Sequence, residues 1–206
     1  MRFELADMAP RDRYKLLTGT VVPRPIGWIA TVDEEGRRNL APFSFFNVVS
    51  ASPPTLMFSG GRRNGLPKDS AANALATGQF VAHIAGTELL DAMNATSIDA
   101  PPGEDEFAYA DLEAVPSERV RPPRLAAAPV AFECEVVHTY EVAPGGNTVV
   151  FGRALIAHLR DDLVLEGGRI DVRALSPVAR LAGTQYATLG EILERARPSW
   201  HPQAGD

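Results

Sequence analysis

Three stretches in the first half of the chain gather residues able to hold a polar, planar ligand. In Thr20-Val-Val-Pro-Arg-Pro-Ile26, Arg24 stands between two prolines that restrict the backbone on either side and so hold its guanidinium in a defined place. A held guanidinium suits a bidentate contact to phosphate; the plain alternative is a surface salt bridge. Asn39-Leu-Ala-Pro-Phe-Ser-Phe-Phe-Asn47 joins amide and hydroxyl groups to three aromatic rings in nine residues, a mixture suited to one hydrogen-bonding heterocycle. A core strand whose polar groups are satisfied locally reads equally well from that composition. Strand neighbours face opposite sides, so at least one of Phe43, Phe45 and Phe46 is expected in the core. Third, Arg62-Arg63 and then Lys68-Asp-Ser70, at a predicted helix start, place cations beside free backbone N–H groups, the makings of an anion site. Capping of that helix by Asp69 or Ser70 explains the same residues.

Other chemistries find no support. The chain has no G-x-G-x-x-G after a strand, no G-x-x-x-x-G-K-[ST], no H-E-x-x-H and no G-x-S-x-G, and Gly60-Gly-Arg-Arg-Asn-Gly65 resembles a phosphate loop only superficially. His83, His138, His158 and His201 lack metal-ligand spacing and read as structural. Cys134 is the only cysteine, so neither an intramolecular disulfide nor a cysteine-based metal cluster can form, which fits a reducing cytoplasm. A net charge of −6 and a pI near 5.3 give no basic footprint for nucleic acid. No run of about 18 apolar residues could span a bilayer. The acidic N-terminus lacks the apolar core of a secretory signal. A soluble, cytoplasmic protein without nucleic-acid or membrane partners is the expectation.

The elements that must position these residues read mostly as strands, because glycine and proline, 17 of each, punctuate short apolar runs. Ile26 to Val32 is a strand, Asp33 to Gly36 its turn and Arg38 to Pro42 its partner. Thr55 to Ser59 is a further strand. Asp69 to Thr77 has helical composition with Gly78 at the left-handed C-terminal position. Gln79 to Ala85 returns to strand, and Thr87 to Asn94 suggests a short helix opened by Thr87. Ala100 to Pro123, rich in proline and acid, reads as a long surface excursion. Val130 to Tyr140 and Asn147 to Leu159, separated by Pro144-Gly-Gly146, form a long hairpin. The sum is a single, mainly β domain over residues 1–206, a closed or half-closed antiparallel barrel with short helices.

In order, Tyr14 to Trp28, Asn39 to Asn47, Pro67-Lys-Asp-Ser70 and Met93-Asn-Ala-Thr-Ser97 resemble the flavin-reductase-like FMN-binding family, which includes flavoredoxins and the flavin-reducing partners of two-component monooxygenases. The resemblance covers a core of about residues 14–186, leaving 187–206 as a tail. It implies an FMN-binding split β-barrel, antiparallel and Greek-key-like, that forms a homodimer with flavin near the interface. Carried onto this chain, it gives the phosphate to Arg24, Lys68 and Ser70, and the ribityl chain and polar ring edge to Asn39, Ser44 and Asn47. Phe43 and Phe45 would adjoin the flavin. Ser59, Gly60 and Arg62 are second-rank candidates, and Asn94 and Leu181 to Tyr186 lie near the flavin or the dimer contact. His83 stands where many relatives carry Asn, and Ser70 where Thr is common; His83 is expected to alter the pocket's pH response. The implied reaction is hydride transfer from NADH or NADPH to FMN, with electrons passing to a small molecule or a partner monooxygenase. No catalytic side chain and no metal are required. A flavoredoxin-like electron-transfer protein, a non-catalytic FMN-binding protein and a flavin-free interaction barrel remain open beside it.

Overall fold

Seven strands carry the architecture of the computed structural model, which describes residues 1–200; His201 and the last residues of the tail lie outside the described residues. They are β1 (Gly27–Val32), β2 (Arg38–Phe43), β3 (Phe46–Ala51), β4 (Pro54–Gly60), β5 (Gln79–Ile84), β6 (Val130–Glu141) and β7 (Thr148–Leu159). All pair antiparallel in the order β2-β1-β5-β6-β7-β4-β3. The predicted strands and hairpin therefore form, with boundaries shifted by a residue or two.

The order has a consequence. β2 and β3 occupy opposite edges of the sheet, yet only Ser44 and Phe45 separate them in the chain. The sheet must curl until its edges nearly meet, and register shifts in the β6–β7 hairpin, at Glu133/Cys134 and Val136/His138, give the long strands the necessary bends. No ladder joins β2 to β3, so the barrel is split rather than closed.

Two apolar clusters lie on the two faces of the curl. Inside, Ile29, Phe43, Phe46, Phe58, Phe80 and Val150 pack with Ala71 and Ala74 of helix α2 (Asp69–Thr77). Outside, Trp28, Ala30, Leu40, Val81 and Met93 pack under the helices and loops that cover the sheet. β1 is covered on both faces, which explains why all six of its residues are buried. Glycine permits two of the closest contacts. A Cβ on Gly27 would stand 2.3 Å from the Phe46 ring, and one on Gly152 would stand 2.3 Å from Phe80.

Several expectations need correction. Helix α2 ends as foreseen at left-handed Gly78, but its N-cap is Lys68 rather than Asp69 or Ser70, and no side chain caps it. Thr87 does not open a single helix: Thr87–Leu89 is a 3-10 turn running into a helix at Leu90–Ala95, and the Thr87 hydroxyl bonds to Ser176. The 100–123 excursion is not confined to the surface. Its short helix Glu106–Tyr109 buries Glu106 and Phe107, and Val120 joins the outer core. Its apolar residues follow no period, and so gave no sign of the burial. An N-terminal helix, α1 (Pro10–Thr20), went unread because it is polar nearly all round and buries only Thr18.

Two buried polar groups tie these additions to the barrel. Arg24 is 7% exposed and donates from Nη1 to the carbonyls of Thr18 (2.5 Å) and Val21 (2.8 Å), from Nη2 to Leu181 (2.9 Å) and from Nε to the Ser44 hydroxyl (3.3 Å). It thereby locks α1, the β2–β3 link and the C-terminal segment together. His83 is fully buried in β5. Its Nδ1 lies 2.8 Å from the Trp28 carbonyl and its Nε2 accepts from the Leu125 N–H at 2.9 Å, a pattern that only the neutral Nδ1–H tautomer satisfies. Burial, opposed by the Trp28 hydrogen bond and aided by nearby Arg124, lowers its pKa to about 4. His83 is thus a structural tie and lines no cavity of the cleft described below.

Arg24→Ala is expected to lower unfolding free energy by about 3 kcal/mol, since three carbonyls and a hydroxyl lose one shared donor; denaturant titration measures it. For His83 the folded pKa lies below the unfolded value of 6.5, so its contribution is complete above pH 6.5 and is lost as pH falls toward 4. At pH 5 the loss should reach about 2 kcal/mol relative to pH 7. His83→Asn should flatten the stability profile by that amount, because the other titrating groups are common to both proteins.

Candidate functional site

A cleft follows the unpaired edge of β2 and the first turn of α2. Its first chamber, about 460 Å³, is lined by Asn39, Pro42, Phe43, Arg63, Lys68, Ser70 and Glu106 among others, within the size range of small-molecule sites. Strand alternation turns Asn39 toward α2, where its Nδ2 donates to the Ser70 Oγ at 2.8 Å, both residues being almost wholly buried. This bond fixes the start of the helix against the strand. With no side-chain cap, the N-terminal N–H groups of α2 keep their positive end beside Lys68.

Arg63 strengthens the same end. Its terminal nitrogens donate to the Asp99 carboxylate and the Ala100 carbonyl, but its buried Nε has no acceptor among the described residues. An uncapped helix, a lysine and an orphaned guanidinium N–H together fit a phosphate group. The opposite charge is also present. Glu106 accepts from the Leu40 N–H at 2.9 Å and is held above the usual carboxylate range, chiefly by burial, with Asp69 and Asp105 nearby. Asp69 accepts from the Gly103 N–H at 3.0 Å.

A second chamber of about 310 Å³ abuts the first at Pro42 and Ser97 and includes Tyr14, Arg24, Ser44, Arg180 and Tyr186. The Tyr186 hydroxyl accepts from Arg180 and donates to Asn94 Oδ1 at 2.9 Å, while the Arg180 guanidinium lies 4.6 Å from the centroid of the Tyr186 ring. On the other side of the Ser44–Phe45 link, Phe45 and Asn47 border a shallow hollow with Leu17, Val21 and Met57.

The residues singled out from sequence therefore divide. Asn39, Phe43, Lys68 and Ser70 meet in the first chamber; Arg24 and Ser44 line both the second chamber and the hollow, where Phe45 and Asn47 join them. Arg24 lines a different chamber from Lys68 and Ser70, and its protein acceptors leave it one unused N–H. Ser59 accepts from Asn147, Gly60 packs against Phe43 and Ala71, and Arg62 bonds Glu141 and the carbonyls of Gly65 and Gly146, all away from the cleft. Asn94 meets the cleft through Tyr186, and its carbonyl accepts from the hydroxyl of Ser97, which lines both chambers. Glu106 and Arg180 were missed. The Asp105-Glu-Phe107 triplet, an acid next to an aromatic within a proline-rich stretch, was the available signal for Glu106; Arg180 carried none.

Comparison with known proteins bears on the family and the fold. The flavin reductase like domain matches residues 18–172. An uncharacterised protein of Halalkalibacterium halodurans, BH2278, is 40% identical over 204 residues, covering 97% of either chain. Among solved structures, nitrilotriacetate monooxygenase component B from Bacillus cereus is 35% identical, with a TM-score of 0.92 over 95% of this chain and 98% of that one. The 2-nitrobenzoate 2-nitroreductase NbaA of Pseudomonas fluorescens is 26% identical, with a TM-score of 0.88 over the full length of both. With more than half its length matched and its split barrel shared, this chain belongs to the flavin reductase like family.

Proposed function

We propose that the chain binds FMN in the first chamber and catalyses its reduction by NADH or NADPH, passing electrons to a partner monooxygenase or to a small molecule. The observation that carries this reading is the phosphate-suited end of the cleft, formed by Lys68, Ser70, the uncapped start of α2 and the unsatisfied Nε of Arg63. From there the cleft runs along Asn39, Pro42 and Phe43, where an amide can address hydroxyls and apolar walls can hold a planar ring. FMN would supply hydride acceptance and electron release. The chain's own residues are left to bind, orient and exclude water: Asn39 holds Ser70 in place, and Phe43 closes the floor against the inner core.

The monooxygenase partner rests on likeness to the component B of Bacillus cereus. Direct reduction of a small molecule is the second reading, favoured by the full-length likeness to NbaA and by a second chamber opening from the first. A homodimer is supported by exposed Leu17, Val21 and Phe45, which line the shallow hollow, and by exposed Val48 and Val49 just beyond Asn47 in β3.

Lys68→Ala is expected to weaken FMN binding about 10- to 100-fold, the loss of one charge-assisted contact, as read by fluorescence titration. Unchanged affinity would move the phosphate elsewhere. Anaerobic mixing of the FMN-loaded protein with NADH or NADPH should bleach the flavin's visible absorbance rapidly. Slow bleaching with both would refute the reductase and leave an electron carrier or a storage protein. Sedimentation should give twice the chain mass of 22.1 kDa.

A further inference from the structure

The second chamber contains more positive charge than its surroundings balance. Arg24 and Arg180 both line it, and none of the eleven residues around it is acidic. Several other guanidinium groups have carboxylate partners: Arg37 pairs with Asp33 and Glu35, Arg38 with Asp105, Arg62 with Glu141 and Arg153 with Glu135. Among the described residues neither Arg24 nor Arg180 has a carboxylate within ion-pair distance. Arg24 is also more than nine-tenths buried, with only neutral oxygens as partners. A buried cation without a counter-charge is costly, and an anionic ligand would offset that cost.

We infer that the second chamber binds a planar molecule bearing a carboxylate, with Arg180 as the residue that selects for the anion. Arg180 is the adaptable member of the pair. Its side chain donates to the Tyr186 hydroxyl and the Gly183 carbonyl, leaving its Nε free, and its guanidinium lies over the Tyr186 ring. Arg24 contributes its field and one remaining N–H. Tyr14, Tyr186, Ile26 and Pro42 offer apolar surface to a ring, while the Ser44 hydroxyl, which accepts from Arg24, offers a further donor. About 310 Å³ suits a single substituted ring rather than a dinucleotide. Because this chamber meets the first at Pro42 and Ser97, a ring seated there lies next to the proposed flavin site. The assignment as a second-substrate chamber rests on that flavin reading.

The test is calorimetric titration of the FMN-free and the FMN-loaded protein with benzoate, benzamide and inorganic phosphate, in the natural chain and in Arg180→Gln. Benzoate is expected to bind at least tenfold more tightly than benzamide or phosphate. Arg180→Gln should weaken benzoate at least tenfold, leave benzamide unchanged and leave FMN affinity within twofold. Arg180→Lys, which keeps the charge but not the planar fork, should weaken benzoate severalfold and covers the case in which the glutamine variant does not fold. Equal binding of benzoate and benzamide, or benzoate binding indifferent to both substitutions, would overturn the inference. Phosphate bound more tightly than benzoate, or FMN affinity falling in step with the loss of Arg180, would reassign the chamber to a phosphate. If the natural chain takes benzoate but not FMN, the flavin reading fails, and the second-substrate role fails with it.

Discussion

The separation of β2 and β3 to opposite edges of one sheet, with a two-residue link between them, is the constraint on which the rest of the molecule depends. It forces the curl, and the curl creates the inner core that Phe43, Phe46, Phe58 and Phe80 fill. Two glycines let that core close, because a side chain at Gly27 or Gly152 would occupy the space of a phenylalanine ring. The barrel remains split, so β2 keeps one unpaired edge. An exposed edge is a liability in most sheets, and here it is covered by α2 and the Glu106 helix. The cleft lies in the gap that this covering leaves.

That location explains the unusual polarity of the cleft. The Leu40 N–H at the split edge has its partner in the Glu106 carboxylate, which burial holds above the normal range. Lys68 and the open end of α2 supply the opposite sign a short way along. Arg24 serves the architecture first, tying three separate segments through their carbonyls, and its charge is felt in the neighbouring chamber. One residue thus links the stability of the N-terminal helix to the electrostatics of the site.

Strands with strong β-branched and aromatic content, such as Gly27–Val32 and the long hairpin, were legible because alternation and turn residues report local geometry. Helix α2 was legible for the same reason, from its composition and Gly78. Helix α1 was not, since a polar helix has no stripe to read and is held instead by Thr18 and Arg24. The buried part of the 100–123 segment escaped as well. Phe107 and Val120 reach the core through a path without period, and only the packed chain shows that they do.

Taken alone, the sequence determined the residue types at the cleft and their family order: Asn39, Phe43, Lys68 and Ser70 were recognisable because chemistry of that kind depends on side-chain identity and short-range spacing. The tertiary structure decided which of them share a chamber. It separated Arg24 from Lys68, turned Arg62 and Ser59 away, buried His83 as a neutral tie and brought in Glu106 and Arg180 from distant segments. The reason is physical. Cleft membership is set by how the sheet curls and by where each donor finds its acceptor, and those acceptors are mostly backbone carbonyls whose positions no side-chain pattern encodes.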